Sequence, residues 1–297
     1  MTTTPRIAGH IACLAVLSTL ASGGRANAQG NSAFGHAHGG GHVTAPSAAA
    51  GGSSSASGGA GEGQPAGDLR NFGTWLDDAS VMSPGTGFVT LGFAYWRAQT
   101  MREFDLPVID TGIAIARRVQ VGMSVPYYYA HEPGSALVKG LGNLYLTTKL
   151  QVANPASHRP GFAVTPMLEV LDAEPSNGGS RMNWALPVNV ELRQDGWRAF
   201  GSGGYFSRGA VFASGAVEAA LSRRAWVTGS ASETYSTRVP IGPLALPRAQ
   251  TDVTAGLTFV VAPNVSVYGN VGHTISDRAV NGGTVNIAAG VSLNLPR

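Results

Sequence analysis

The sequence predicts an all-β protein: a transmembrane antiparallel β-barrel of about twelve strands, preceded by a disordered Gly/Ser/Ala/His tether. Three observations carry this expectation. Apolar and polar residues alternate with period two along segments of ten to thirteen residues, short and long links alternate between those segments, and aromatic residues gather at the segment ends.

The alternation is clearest in "TVNIAAGVSLNL", residues 284–295. Val285, Ile287, Ala289, Val291, Leu293 and Leu295 share one strand face, and Thr284, Asn286, Ala288, Gly290, Ser292 and Asn294 share the other. A strand face turned to bulk water ordinarily carries Lys and Glu, and this one carries neither. An apolar face against lipid and a small polar face against a barrel interior satisfy both halves of the pattern. Charged residues make up only 12% of the 297 positions, about half the usual share. The formal charge of +3 is dilute and no basic stripe interleaves with aromatics, which excludes nucleic acid as a partner.

Along the chain, residues 1–28 read as a secretory signal peptide. Arg6 supplies the basic start, "IACLAVLSTLA" an apolar run too short to span a bilayer, and Ala26-Asn27-Ala28 a small-x-small cleavage site. Cys13 is the one cysteine, so the mature chain forms no disulfide. Residues 29–68 are a disordered low-complexity tether, too poor in apolar side chains to offset the entropy of ordering. Within it "HAHGGGH" groups His36, His38 and His42, a set able to hold Zn, Cu or Ni weakly, against the plainer reading of a solvated polar tract. Residues 69–86 are a lead-in or a lumen plug, with Trp75, Leu76, Asp77 and Asp78 able to enter the barrel.

Residues 87–297 form the barrel. Candidate strands fall at 87–97, 107–117, 119–128, 142–153, 160–171, 181–192, 196–206, 209–221, 224–236, 250–261, 264–275 and 284–295. Their length suits the roughly 9–11 tilted residues that cross a bilayer. Arg117-Arg118, "NPASH", "RQDG", "SR" and "APN" are short turns, while "AQTMREFD", "HEPGSALVKG", "DAEPSNGG", "VPIGPLALPRA" and "SDRAVNGG" are longer; the link near Ser207 departs from the rule. Short periplasmic turns and longer external loops give that asymmetry. Two aromatic belts follow, Tyr95, Tyr127, Tyr128, Tyr129, Trp184, Tyr205 and Tyr235 outside and Phe88, Phe162, Trp197 and Phe259 on the periplasmic side. Trp226 fits neither belt, because alternation with Val227 turns it inward unless a bulge intervenes.

By the same alternation Asn143, Lys149, Glu169 and Asn189 line the lumen, and so do Glu191, Arg198, Glu218 and Asp252. Pairing across "RQDG" sets Glu191 opposite Arg198, and pairing across the link near Ser207 brings Glu218 to the other side of Arg198. The expectation is a Glu191–Arg198–Glu218 cluster near the periplasmic end, since charges inside a membrane protein pair or meet water.

The stretch "KGLGNLYLTTKLQV" followed by "PGFAVTPMLEV" resembles the MetA-pathway-of-phenol-degradation-like outer-membrane proteins, through Gly140, Gly142, Leu144 and Lys149. Asn143 stands where that family has Asp. The resemblance implies uptake of small hydrophobic compounds. Gly290, Leu293 and Leu295 likewise resemble the C-terminal signal read by the barrel assembly machinery, although the chain ends Leu295-Pro296-Arg297 without a terminal aromatic. The expected role is an outer-membrane channel or transporter for small solutes, hydrophobic or aromatic ones included, with lipid, the assembly machinery and the solute as partners and no cofactor. A structural or display barrel without transport is the alternative, and an outer-membrane hydrolase, with a Ser/His pair assembled from separate strands, ranks below it. Catalysis is not expected: no Gly-x-Ser-x-Gly, His-Glu-x-x-His or phosphate loop occurs, and His131, His158 and His273 lie in rim or turn positions.

Overall fold

The computed structural model describes residues 76–98, 102–131, 137–156, 159–170, 181–194, 196–207, 209–236, 249–275 and 283–295. The expected signal peptide, the expected tether with His36, His38 and His42, the lead-in as far as Trp75, and His158 lie outside the described residues.

In chain order the strands are β1 (Gly87–Ala98), β2 (Arg102–Ala116), β3 (Val119–His131), β4 (Val138–Leu141), β5 (Leu144–Ala153), β6 (Gly161–Val164) and β7 (Met167–Val170). They continue as β8 (Met182–Gln194), β9 (Trp197–Phe206), β10 (Ala210–Ala220), β11 (Ala225–Ser236), β12 (Ala249–Ala262), β13 (Val265–Thr274) and β14 (Gly283–Leu295). All pairings are antiparallel neighbours. β3 pairs with both β4 and β5, and β8 pairs with both β6 and β7, so each of those short pairs is one interrupted stave. The second interruption falls at Thr165-Pro166, where proline has no N–H to give. Backbone bonds from Thr148 N–H to Pro166 O (3.0 Å) and from Thr165 N–H to Pro187 O (2.9 Å) carry the ladder across it. The result is twelve staves, closed where β1 meets β14 from Gly87↔Leu295 to Ala98↔Gly283. Closure leaves no open edge, which hydrocarbon would not tolerate.

The alternation along β14 matches its surroundings. Ile287, Val291, Leu293 and Leu295 are exposed on the outer face, and Asn286, Ala288 and Ser292 are buried inside. Leu91, Leu257, Val217 and Val271 extend the apolar exterior around the ring.

Several sequence expectations are corrected. β2 begins at Arg102 rather than near 107, inside the stretch "AQTMREFD" that suggested a loop, and β3 runs on to His131. The charges that suggested a loop are sorted by face: Glu103 and Asp105 point inward and are buried, while Arg102 is exposed. Phe88 and Tyr128 leave the aromatic belts, since both are buried inside at 4% and 3% exposure. Trp184 and Tyr205 do form an exposed outer pair, with ring centroids 5.8 Å apart. Trp226 pairs with Ala220 and Thr258 without a bulge, on the inward side with Thr228.

Ile287→Arg, placed near the middle of the outer face, is expected to cost about 2–4 kcal/mol of unfolding free energy. Denaturant titration in lipid vesicles checks this, with Ala288→Ser on the inner face as the nearly neutral control.

Candidate functional site

The interior holds a segment of chain as well as side chains. Residues 76–82 run inside the barrel, with Leu76, Asp78, Ala79, Ser80, Val81 and Met82 all buried. Their route is fixed by inward residues of four staves. From β3, Gln120 Oε1 accepts the Met82 N–H at 3.3 Å. From β5, Gln151 Nε2 donates to Ala79 O at 2.8 Å, and Lys149 Nζ reaches Asp77 Oδ1 at 2.7 Å, Asp78 Oδ1 at 3.1 Å and Ser80 O at 3.2 Å.

β8 and β9 complete the floor. Ser80 Oγ donates to Glu191 Oε2 at 2.6 Å, and Arg193 Nη2 donates to Ser80 Oγ at 2.9 Å and to Glu191 Oε1 at 2.6 Å. Arg198 Nη1 donates to Asp78 Oδ2 at 2.9 Å, and its Nε donates to Glu218 Oε1 at 2.7 Å. The Arg198 guanidinium also lies 4.8 Å from the Phe200 ring centroid. A hydrogen-bond relay extends sideways: the Asp77 N–H donates to Ser202 Oγ (2.8 Å), Ser202 Oγ donates to Asn189 Oδ1 (2.8 Å), and Asn189 Nδ2 donates to Thr165 Oγ1 (2.7 Å). Four carboxylates, Asp77, Asp78, Glu191 and Glu218, thus interlock with three cations, Lys149, Arg193 and Arg198. Ionised groups this far from water hold their charge only because each is paired and hydrogen-bonded.

The eight inward residues expected from the sequence are all buried, from 0% exposure at Asn143, Glu169, Asn189 and Glu191 to 7% at Arg198. Lys149, Glu191, Arg198 and Glu218 come together at the floor. Glu169 is apart, accepting from Asn143 Nδ2 (2.8 Å), Tyr145 OH (3.1 Å) and Asn183 Nδ2 (3.1 Å). Asp252 is apart again, accepting from Thr274 Oγ1 at 2.6 Å.

The expected register is corrected in one place. Arg193, not Glu191, stands opposite Arg198, and Glu191 stands opposite Phe200. The turn is tighter than expected, with Gln194 paired to Trp197 and Gly196 at φ +80°. A two-residue turn needs that left-handed conformation, which glycine adopts without strain. The Glu191–Arg198 separation is consequently 3.8 Å, and Arg193 takes the closer contact. Glu218 does lie opposite Arg198 as expected. Sequence reasoning missed Arg193 and Asp78 as members of this cluster. Arg193 shares the face of Glu191 two residues away; nothing local signals that Asp78 meets Arg198 across a separation of 120 residues.

The fold is that of known outer-membrane barrels. A channel of Pseudomonas putida F1, described as an outer membrane channel, superposes with a TM-score of 0.57 at 10% identity, covering 73% of this chain and 98% of that one. The NanC porin superposes with a TM-score of 0.51 at 9% identity, covering 69% and 98%. At such identities the likeness concerns architecture. No family model and no curated protein sequence matches the chain.

Arg198→Ala removes the cation shared by Asp78 and Glu218 and leaves buried carboxylates to face one another. The expected loss is about 3–5 kcal/mol of barrel stability, read as a lower denaturation midpoint. Arg193→Ala, at a side chain 27% exposed, is expected to lower it less.

Proposed function

We propose that the chain is an outer-membrane channel for small solutes in which residues 76–82 act as a plug on the periplasmic side. The observation that carries this reading is the segment itself. It crosses the interior of a closed ring and is held by side chains of the wall, Lys149, Gln151, Glu191 and Arg198 among them, through Asp77, Asp78 and Ser80. Contacts of this kind fix the segment in place, and its release requires water to reach Lys149 and Arg198 in place of the two aspartates. The rest of the interior is chemically mixed. Tyr145, Met167, Phe206 and Phe212 form one apolar cluster, and Ala94, Val108, Tyr268 and Ala288 form another. Ser232, Thr258, Ser266, Asn286 and Ser292 add small polar groups.

A mixed lining suits solutes with an apolar body and at least one polar group. The resemblance of the stretch around Gly140, Gly142, Leu144 and Lys149 to the MetA-pathway-of-phenol-degradation-like proteins supports the apolar part of that reading. The architectural likeness to the Pseudomonas putida channel supports conduction as the activity.

Planar-bilayer recording tests the proposal. Asp77→Asn combined with Asp78→Asn, and separately deletion of residues 76–82, are expected to raise single-channel conductance above that of the native chain. Conductance at the leak level in all three forms would favour the display-barrel alternative. Equal conductance in all three would retain the channel and remove the plug.

A further inference from the structure

The rim of the barrel where β1 begins and β14 ends carries exposed cations that the floor cluster does not use. Arg117 and Arg118 form the β2–β3 turn, Arg159 lies in the β5–β6 turn, and Arg223 and Arg224 lie in the β10–β11 turn; all five are exposed. Among the described residues none of them meets a carboxylate. In sequence the turns of this rim, 117–118, 154–160, 195–196, 221–224 and 263–264, contain one carboxylate, Asp195. The opposite rim is mixed, with Arg97, Arg102 and Arg181 standing among Glu103, Asp105 and Glu233.

Backbone bonds set the five arginines in two groups. Arg118 O accepts the Gln151 N–H at 2.8 Å, tying the β2–β3 turn to β5, and Ala156 and Arg159 exchange bonds of 3.1 and 2.9 Å within the neighbouring turn. Arg117, Arg118 and Arg159 form the first group. Across the ring, Leu221 N–H donates to Ala225 O at 2.9 Å and Arg224 O accepts the Val260 N–H at 2.8 Å, which fixes Arg223 and Arg224 as the second.

The lipid-facing surface ends just above both groups. Ile115 and Leu221 are exposed on the apolar exterior, and Arg117 and Arg223 each follow one of them by two residues. Two residues of a tilted strand advance about 5 Å along the barrel axis. The arginines therefore stand where hydrocarbon gives way to headgroups, a level at which the methylene stem rests on apolar surface and the guanidinium meets polar groups. A guanidinium fits a phosphate through two parallel hydrogen bonds. A zwitterionic headgroup brings its own cation beside the phosphate, which a cluster of one sign repels.

We propose that this rim is a docking surface for anionic glycerophospholipids, with phosphates held by Arg117, Arg118 and Arg159 on one side of the ring and by Arg223 and Arg224 on the other. The inference goes beyond conduction and stands whether or not the ring conducts.

Native mass spectrometry of the purified full-length protein, released from detergent micelles doped with dioleoyl phosphatidylglycerol or dioleoyl phosphatidylcholine, tests it. The native chain is expected to retain phosphatidylglycerol roughly tenfold over phosphatidylcholine at equal doping. Arg117→Gln, Arg118→Gln and Arg159→Gln together are expected to remove about half of the retained phosphatidylglycerol, and adding Arg223→Gln and Arg224→Gln to bring it down to the phosphatidylcholine level. Arg102→Gln, at the mixed rim, is expected to change nothing. Equal retention of the two lipids by the native chain would overturn the proposal, as would a five-site variant that retains phosphatidylglycerol like the native chain. Displacement of the lipid by excess soluble glycerol phosphate would assign the rim to free phosphates and overturn the lipid as occupant. The comparison of the two lipids on the native chain decides the matter if the five-site variant does not fold.

Discussion

Hydrocarbon offers no hydrogen-bond partner, and each stave of this protein must therefore bond its backbone to a neighbour on both sides. The β1–β14 seam meets that constraint for the ring as a whole. Once the ring is closed, every strand has one face toward lipid and one toward a confined interior, and period-two alternation becomes obligatory. The constraint also governs irregularities. Where Pro166 interrupts the sixth and seventh strands, the flanking residues Thr148 and Thr165 keep the ladder bonded to its neighbours.

The interior inherits the opposite problem. Polar groups that avoid lipid are gathered into a space too crowded to hydrate them freely, so their charges must answer one another. Arg198 shows how this is done. It takes a carboxylate from the adjacent strand, Glu218, and a second from the inner segment, Asp78. Lys149 on the facing side takes Asp77 and the other oxygen of Asp78. Asp78 of the inner segment therefore bridges cations on β5 and β9, and the segment and the wall stabilise each other's charges. This reciprocity ties the segment to the fold: the same contacts that make the floor electrically tolerable hold the segment inside the ring.

Much of the barrel was legible because its signals are local. Alternation in β14, in "GNLYLTTKLQV" and in "TDVTAGLTFVV" records the lipid face directly, and the inward placement of Lys149, Glu191, Arg198 and Glu218 follows from parity alone. Parity does not fix partners. A slip of two residues across the Asp195-Gly196 turn keeps every side chain on its proper face yet exchanges Glu191 for Arg193 opposite Arg198. Strand ends were misjudged where charge was taken to mean loop. β2 rises above the apolar belt, and there Arg102 is acceptable outside and Glu103 inside. The inner segment was suggested by its apolar and acidic residues, but its contacts with the wall join positions 38 to 125 residues apart and leave no periodic trace.

Hydrogen–deuterium exchange of the peptide spanning residues 76–82, in the detergent-solubilised protein, addresses the central claim most directly. The amides of Asp77, Ser80 and Met82 donate to Ser202, Asp78 and Gln120. An inner segment docked on the charged floor predicts exchange slowed to the range of the neighbouring β9 peptide. Exchange at the rate of an unstructured chain would contradict it and place residues 76–82 outside the barrel.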